Sequence, residues 1–190
     1  MTDRNLKQFK MSNRKFEKLS CIKHDIPLPK RGTVNSAGYD ISIIHPAVYD
    51  LITTKSISLE EAWDIVKKTG QEIFHLPNGK SNFVFSTGVK ARMNSGNVLM
   101  LFVRSSMGIK KGIKLSNQTG IIDADYYNNP DNEGHIMVAL DIPEKDGLRF
   151  LEFEGPTMRV CQGIFVSYLL TEDDDTKIVR LGGIGSTGNG

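Results

Sequence analysis

The chain has 190 residues, 39% of them hydrophobic and 24% charged, enough to bury a sizeable core, and a single domain is the expectation at this length. Lys and Arg (24) nearly cancel Asp and Glu (22), leaving net +2 with a pI of about 8.5, so no global electrostatic case exists for nucleic-acid or membrane partners and any anion site must be local. Cys21 and Cys161 are too few for a disulfide framework and lack metal-type spacing, no apolar run reaches membrane-spanning length, and residues 1–20 lack a secretory apolar core, so a reduced, cytoplasmic protein is expected.

Residues 1–18 carry Arg4, Lys7, Lys10, Arg14, Lys15 and Lys18 with few large apolar groups, which reads as a basic flexible arm. Sparse aromatics and the interrupting Asp3 and Glu17 argue against a nucleic-acid tail. Phe16 to Ile22 reads as a first strand, and Pro27, Pro29 and Gly32 enforce an extended, turning path into Ser36-Ala37-Gly38-Tyr39-Asp40. Within 46–72 the chain turns helical. Ser58 to Glu61 forms a capping box, Leu59, Ala62, Trp63 and Val66 follow at helical spacing, and Lys67, Lys68 and Gly70 act as stop signals. One inserted amphipathic helix is predicted, with its Trp as a packing residue.

Strand signals resume at Ile73, with alternation at Phe83 and Phe85 and at Val89, Ala91 and Met93, and a tight turn at Asn78-Gly79. Asn97 to Val103 reads as a buried strand that delivers Arg104, Ser105 and Ser106 at its end, a planar donor fork with two hydroxyls suited to phosphate oxygens. Gly108 and Gly112 punctuate a lysine-bearing turn, and Asn117 to Gly120 opens onto Ile121-Ile122 as a hairpin with an amide at its mouth. In an extended segment Asp123 and Asp125 share a face and Tyr126 points the other way. Gly134 to Leu140, Phe150 to Phe153 and Val160 to Leu170 continue the strand pattern, with Arg159 and Gln162 as polar residues in or beside the last of them. Many short strands with turns indicate a sandwich or jelly roll.

The tail Gly183-Ile-Gly-Ser-Thr-Gly188 matches a dinucleotide fingerprint, but the chain ends two residues later, without the helix and acid that fingerprint requires. It reads instead as a flexible, donor-rich lid over residues 180–190, able to wrap phosphates.

Five ordered segments, AGYDI (Ala37 to Ile41), RSSMG (Arg104 to Gly108), GIIDADY (Gly120 to Tyr126), RVCQGIF (Arg159 to Phe165) and RLGGIGSTG (Arg180 to Gly188), resemble the motifs of the trimeric dUTP pyrophosphatase (dUTPase) family, as a phage or bacterial member would. The match runs from Ile26 to Gly188. It implies an all-β, jelly-roll-like sandwich or barrel, assembled as a homotrimer whose active sites combine motifs of neighbouring subunits. The implied activity is Mg2+-dependent hydrolysis of dUTP to dUMP and pyrophosphate, which keeps uracil out of DNA and supplies dUMP for dTMP synthesis.

By the same resemblance Asp123 is the general base for the attacking water, and Arg104, Ser105, Ser106, Gln162, Arg180, Gly185, Ser186 and Thr187 gather around the phosphates. Asn117 and the Gly120, Ile121 and Ile122 backbone face the uracil edge, with Met137 beside them, and Tyr126 packs on the deoxyribose and excludes a 2′-hydroxyl. Asp40 meets the metal through water, with no direct protein ligand expected. The chain departs from the family in the 46–72 insertion, in Val103 where Pro is usual, in the lengthened 129–133 link, and in Ile184 where a Phe caps the base. A dCTP deaminase shares the fold and the RSS motif, but its catalytic Glu falls on Ala139. A non-catalytic nucleotide-binding regulator, with the inserted helix as contact surface for a protein partner, is the alternative of another class.

Overall fold

The computed structural model describes residues 13–77, 79–177, 180 and 182. Strands β1 (Lys15–Lys18), β2 (Lys30–Arg31) and β3 (Tyr39–Ile44) precede helices α1 (Pro46–Thr54) and α2 (Leu59–Lys68). Then come β4 (Ile73–His75), β5 (Asn82–Ser86), β6 (Val89–Arg92), β7 (Asn97–Val103), a π-helical turn (Ser106–Lys110), β8 (Lys114–Leu115) and β9 (Gly120–Asp123). A 3-10 turn (Ala124–Tyr126), β10 (Met137–Asp141), β11 (Phe150–Glu152) and β12 (Thr157–Ser167) complete the order.

All strand pairing is antiparallel, in a five-stranded sheet β2-β3-β12-β7-β9, a three-stranded sheet β5-β10-β8 and two pairs, β1-β6 and β11-β4. Period-2 alternation sends Ile41 and Ile43 of β3, Leu99 and Leu101 of β7, and Val138 and Leu140 of β10 into one hydrophobic cluster, each nearly inaccessible. Burying one such side chain is worth about 1.5–3 kcal/mol, so these rows rather than any single turn hold the sheets together. The mostly-β architecture agrees with the sequence reading. No helix among the described residues is long and apolar enough to cross a membrane.

Two details correct that reading. The insertion carries two helices, not one. In α2 the capping box forms as read: Glu61 N–H donates to Ser58 Oγ at 3.2 Å and Ser58 N–H to the Glu61 carboxylate at 2.9 Å, while Leu59, Ala62, Trp63 and Val66 face the core. The other helix, α1, has Pro46 in its first turn but no side-chain cap at His45, no acid in that turn and no base in its last, so it left no boundary signal beyond the proline. Its stability comes from burying Val48 and Ile52.

The predicted hairpin at Asn117 to Gly120 also differs. Leu115 of β8 pairs with Leu140 of β10, whereas Gly120 to Asp123 of β9 pair with Leu101 to Val98 of β7, so Ser116 to Thr119 crosses between sheets. A two-residue strand gains more at the edge of an existing sheet than in an isolated hairpin. Of the residues read as a basic arm, Lys15–Lys18 is strand β1 on β6; residues 1–12 and Asn78 lie outside the described residues.

Candidate active site

The crossing from β8 to β9 opens a cavity of about 520 Å³ between the two larger sheets. Asn117 and Gly120 to Ile122 line one side, Met137 and Ala139 of β10 the facing side, and Asp123, Tyr126 and Arg180 close the remaining wall. Gly120 is held close against β7, where a Cβ would come within 3.1 Å of the Leu101 side chain. Ala139 lines the cavity and brings no carboxylate to it.

Asp123 ends β9 and precedes the 3-10 turn. That turn corrects the extended reading of this stretch, because residues three apart eclipse in a 3-10 helix and Asp123 and Tyr126 therefore share the cavity instead of facing apart. Tyr126 is 6% exposed; its hydroxyl donates to His135 O at 3.0 Å and accepts from Asn132 Nδ2 at 2.9 Å. With the oxygen turned into the protein, the ring is the part left for a ligand. The carboxylates of Asp123 and Asp125 converge on Arg180, at 2.8 Å and 3.2 Å, and its guanidinium lies 5.6 Å from the Tyr126 ring centre.

A second polar cluster sits at the far end of β7. Arg104 Nε lies 3.0 Å from one Asp40 oxygen, and Arg159 lies 3.3 Å from the other. Gln162 is opposite Asp40 in the β12-β3 register, and Gly38 is tight there, since a Cβ would come within 2.5 Å of the Gln162 amide oxygen. Ser105 and Ser106 open the π-helical turn beside Arg104. Burial and the Asp40 charge push the Cys161 thiol up to about 12, so this end holds no thiolate nucleophile.

Within one chain the two clusters are apart. Asp123 is in register with Val98 and Arg104 follows Val103, six residues further along β7. At ~3.3 Å per residue that is about 20 Å, far more than the spacing of phosphates within one triphosphate. Arg180, assigned with the phosphate donors, sits at the Asp123 end. Ile184, Gly185, Ser186 and Thr187 lie outside the described residues. Sequence reasoning did not single out Asn132 and His135, whose contact with Tyr126 depends on how the 127–134 loop folds back.

The mostly-β fold thus carries a cavity with a carboxylate at one wall, and arginines at two places. No family model matches the chain. Deoxyuridine 5′-triphosphate nucleotidohydrolase of Lactococcus lactis is 38% identical over 181 residues, covering 94% of this chain and 99% of the relative, and on that similarity the chain belongs to the dUTPase family. The dUTPase of Streptococcus mutans has a similar structure, with TM-score 0.59 and 35% identity over 83% of this chain and 98% of that one. A mutant dUTPase of Staphylococcus aureus phage phi11, which coordinates a structural Mg(II) ion, shares the fold at 16% identity, with TM-score 0.50 over 87% of this chain and 97% of that one.

Proposed function

We propose that this chain hydrolyses dUTP to dUMP and pyrophosphate at sites shared between the subunits of a homotrimer. The observation that carries the reading is the cavity where Asn117, Gly120 to Ile122, Asp123 and Tyr126 converge. Asn117 and the β9 backbone meet the uracil edge, with Met137 and Ala139 of β10 also lining the cavity. Tyr126 lies along the deoxyribose and crowds a 2′-hydroxyl. Asp123 takes a proton from the water that attacks the α-phosphorus, a step that needs a carboxylate within hydrogen-bond reach.

The spacing along β7 supports shared sites. Asp123 of one chain and Arg104, Ser105, Ser106 and Gln162 of another serve one triphosphate, because the pair within a chain stands too far apart. Arg180 exchanges its two carboxylates for phosphate oxygens when the substrate enters, and with Ser186, Thr187 and Gly185 it completes an electrostatic clamp. By its place in the final motif, Ile184 is assigned to the base.

Mg2+ fits this arrangement. Asp40 is a single carboxylate beside Arg104. A lone carboxylate suits an ion that keeps several waters and takes its other oxygens from phosphates. Asp40 would hold such an ion through water, and the ion would supply charge neutralisation at the phosphates.

Pyrophosphate release measured across dUTP, dCTP, dTTP and UTP tests the activity: dUTP should dominate, and equal rates or ammonia from dCTP would overturn it. Mixed refolding tests the sharing. Arg104→Ala and Asp123→Asn chains are each inactive alone, yet at 1:1 about one quarter of sites would draw both intact residues from different chains. No recovery above the separate variants would place each site within one chain.

A further inference from the structure

The two largest departures from the family pattern, the helical insertion and the long loop after Tyr126, meet at His135. The loop is a built structure. Asn129 Nδ2 donates to Tyr126 O at 2.8 Å, and the Asn132 amide oxygen accepts from Asn129 Nδ2 at 2.8 Å and from Gly134 N–H at 3.0 Å, while its Nδ2 donates to the Tyr126 hydroxyl. Gly134 has φ +79°, and a Cβ there would lie 2.5 Å from Tyr126 O, so only glycine closes the loop this tightly. Glu133 pins the outer side by accepting from Ser20 N–H and from Lys90 Nζ at 3.0 Å.

His135 then carries the carbonyl that accepts the Tyr126 hydroxyl. Its ring is 6% exposed and doubly held: Nε2 accepts Gly88 N–H at 3.1 Å, and the Tyr49 ring of α1 stacks on it, 5.7 Å between centres and 19° between planes. The insertion thus supplies one wall of the socket that orients residue 135.

We infer that His135 is a positioning residue for sugar discrimination: its ring, held between Gly88 N–H and Tyr49, fixes the carbonyl that anchors Tyr126, so helix α1 sets how closely the Tyr126 ring approaches C2′ of the nucleotide. This rests on the proposed role of Tyr126 as the sugar wall. The anchored hydroxyl restricts tilt of the ring, and a wall that tilts admits the extra oxygen of a ribonucleotide. Small misplacements of positioning groups are costly in enzymes, because discrimination depends on contacts made at close range.

The experiment compares kcat/KM for dUTP and UTP, with thermal unfolding in parallel, in wild type, Tyr126→Ala, Tyr49→Ala, Tyr49→Phe, His135→Leu and His135→Gln. Tyr126→Ala should lower the dUTP over UTP preference the most. Tyr49→Ala and His135→Leu should lower it by about tenfold, with kcat for dUTP within about twofold of wild type, a loss of selectivity without loss of chemistry. Tyr49→Phe, which keeps the ring, and His135→Gln, which keeps an acceptor for Gly88 N–H, should restore most of it. Should His135→Leu fail to fold, Tyr49→Ala decides alone, since Tyr49 is only partly buried on the insertion. A reduced unfolding temperature with unchanged preference in Tyr49→Ala overturns the inference and leaves the contact as packing. An unchanged preference in Tyr126→Ala instead removes the sugar-wall reading beneath it, and absence of dUTP hydrolysis in wild type removes the proposed function.

Discussion

His135 also makes the fold acid-sensitive in a way that one substitution isolates. Burial holds its imidazole at a pKa of about 4 against an ordinary 6.5, with the Glu133 charge acting weakly the other way. The neutral ring is the one that fits, since Nε2 accepts Gly88 N–H. A histidine with a lowered folded pKa binds its proton in the unfolded chain first. Its contribution is therefore complete above about pH 6.5, shrinks on acidification, and is fully lost below about pH 4. The full span of 2.5 units is worth about 3 kcal/mol, of which about 2 kcal/mol is gone by pH 5. His135→Gln retains an acceptor but cannot titrate. Urea unfolding at fixed protein concentration, from pH 7.5 to pH 5, should show wild type losing about 2 kcal/mol more than the variant. Glu17 and Glu133, whose pKa values are lowered by hydrogen bonds, titrate below this window, and His45, lowered by burial, is common to both proteins and cancels. Parallel curves would mean that His135 accepts a proton in place, and that the Gly88 contact does not require the neutral ring.

Three further outcomes are expected. Asp123→Asn should keep the oligomeric state and nucleotide binding, with Arg180 still paired to Asp125, while turnover falls by at least ~10²-fold; near-normal turnover removes Asp123 as the base. Stopping the chain after Val179 should leave the β core intact, since the last strand among the described residues ends at Ser167, yet activity should collapse; a change of oligomer on sizing would show that the lost segment is structural. Ile184→Phe should lower KM for dUTP several-fold if about 1 kcal/mol of base stacking is recovered, with less effect on kcat; an unchanged KM means the C-terminal segment does not cap the base.

Strands and α2 were legible because their signals are local: alternation of Leu99 and Leu101, or a capping box ahead of an apolar stripe, needs no knowledge of partners. The candidate site was legible through its ordered motifs, and the cavity gathers Asn117, Gly120, Ile121, Ile122, Asp123, Tyr126, Met137 and Arg180. What stayed hidden depends on tertiary pairing. Helix α1 lacks caps and charge signals and is specified by what Val48 and Ile52 bury against. The choice of β8 to join β10 rather than β9 is settled by sheet edges distant in sequence. The 3-10 turn, which brings Tyr126 round to the side of Asp123, replaces an extended reading that fitted the same residues, and no pattern in the 127–134 loop announces that Asn132 and His135 hold the tyrosine.

The charge arrangement bears on how such a site selects its substrate. In the free chain, cations suited to phosphate are held by carboxylates: Arg104 and Arg159 on Asp40, Arg180 across Asp123 and Asp125. A phosphate oxygen must displace or share these contacts, so its gain is the difference between two charge-assisted hydrogen bonds rather than the whole of one. Selectivity then falls to the uncharged walls, the β9 backbone, Ala139 and the Tyr126 ring, where shape decides.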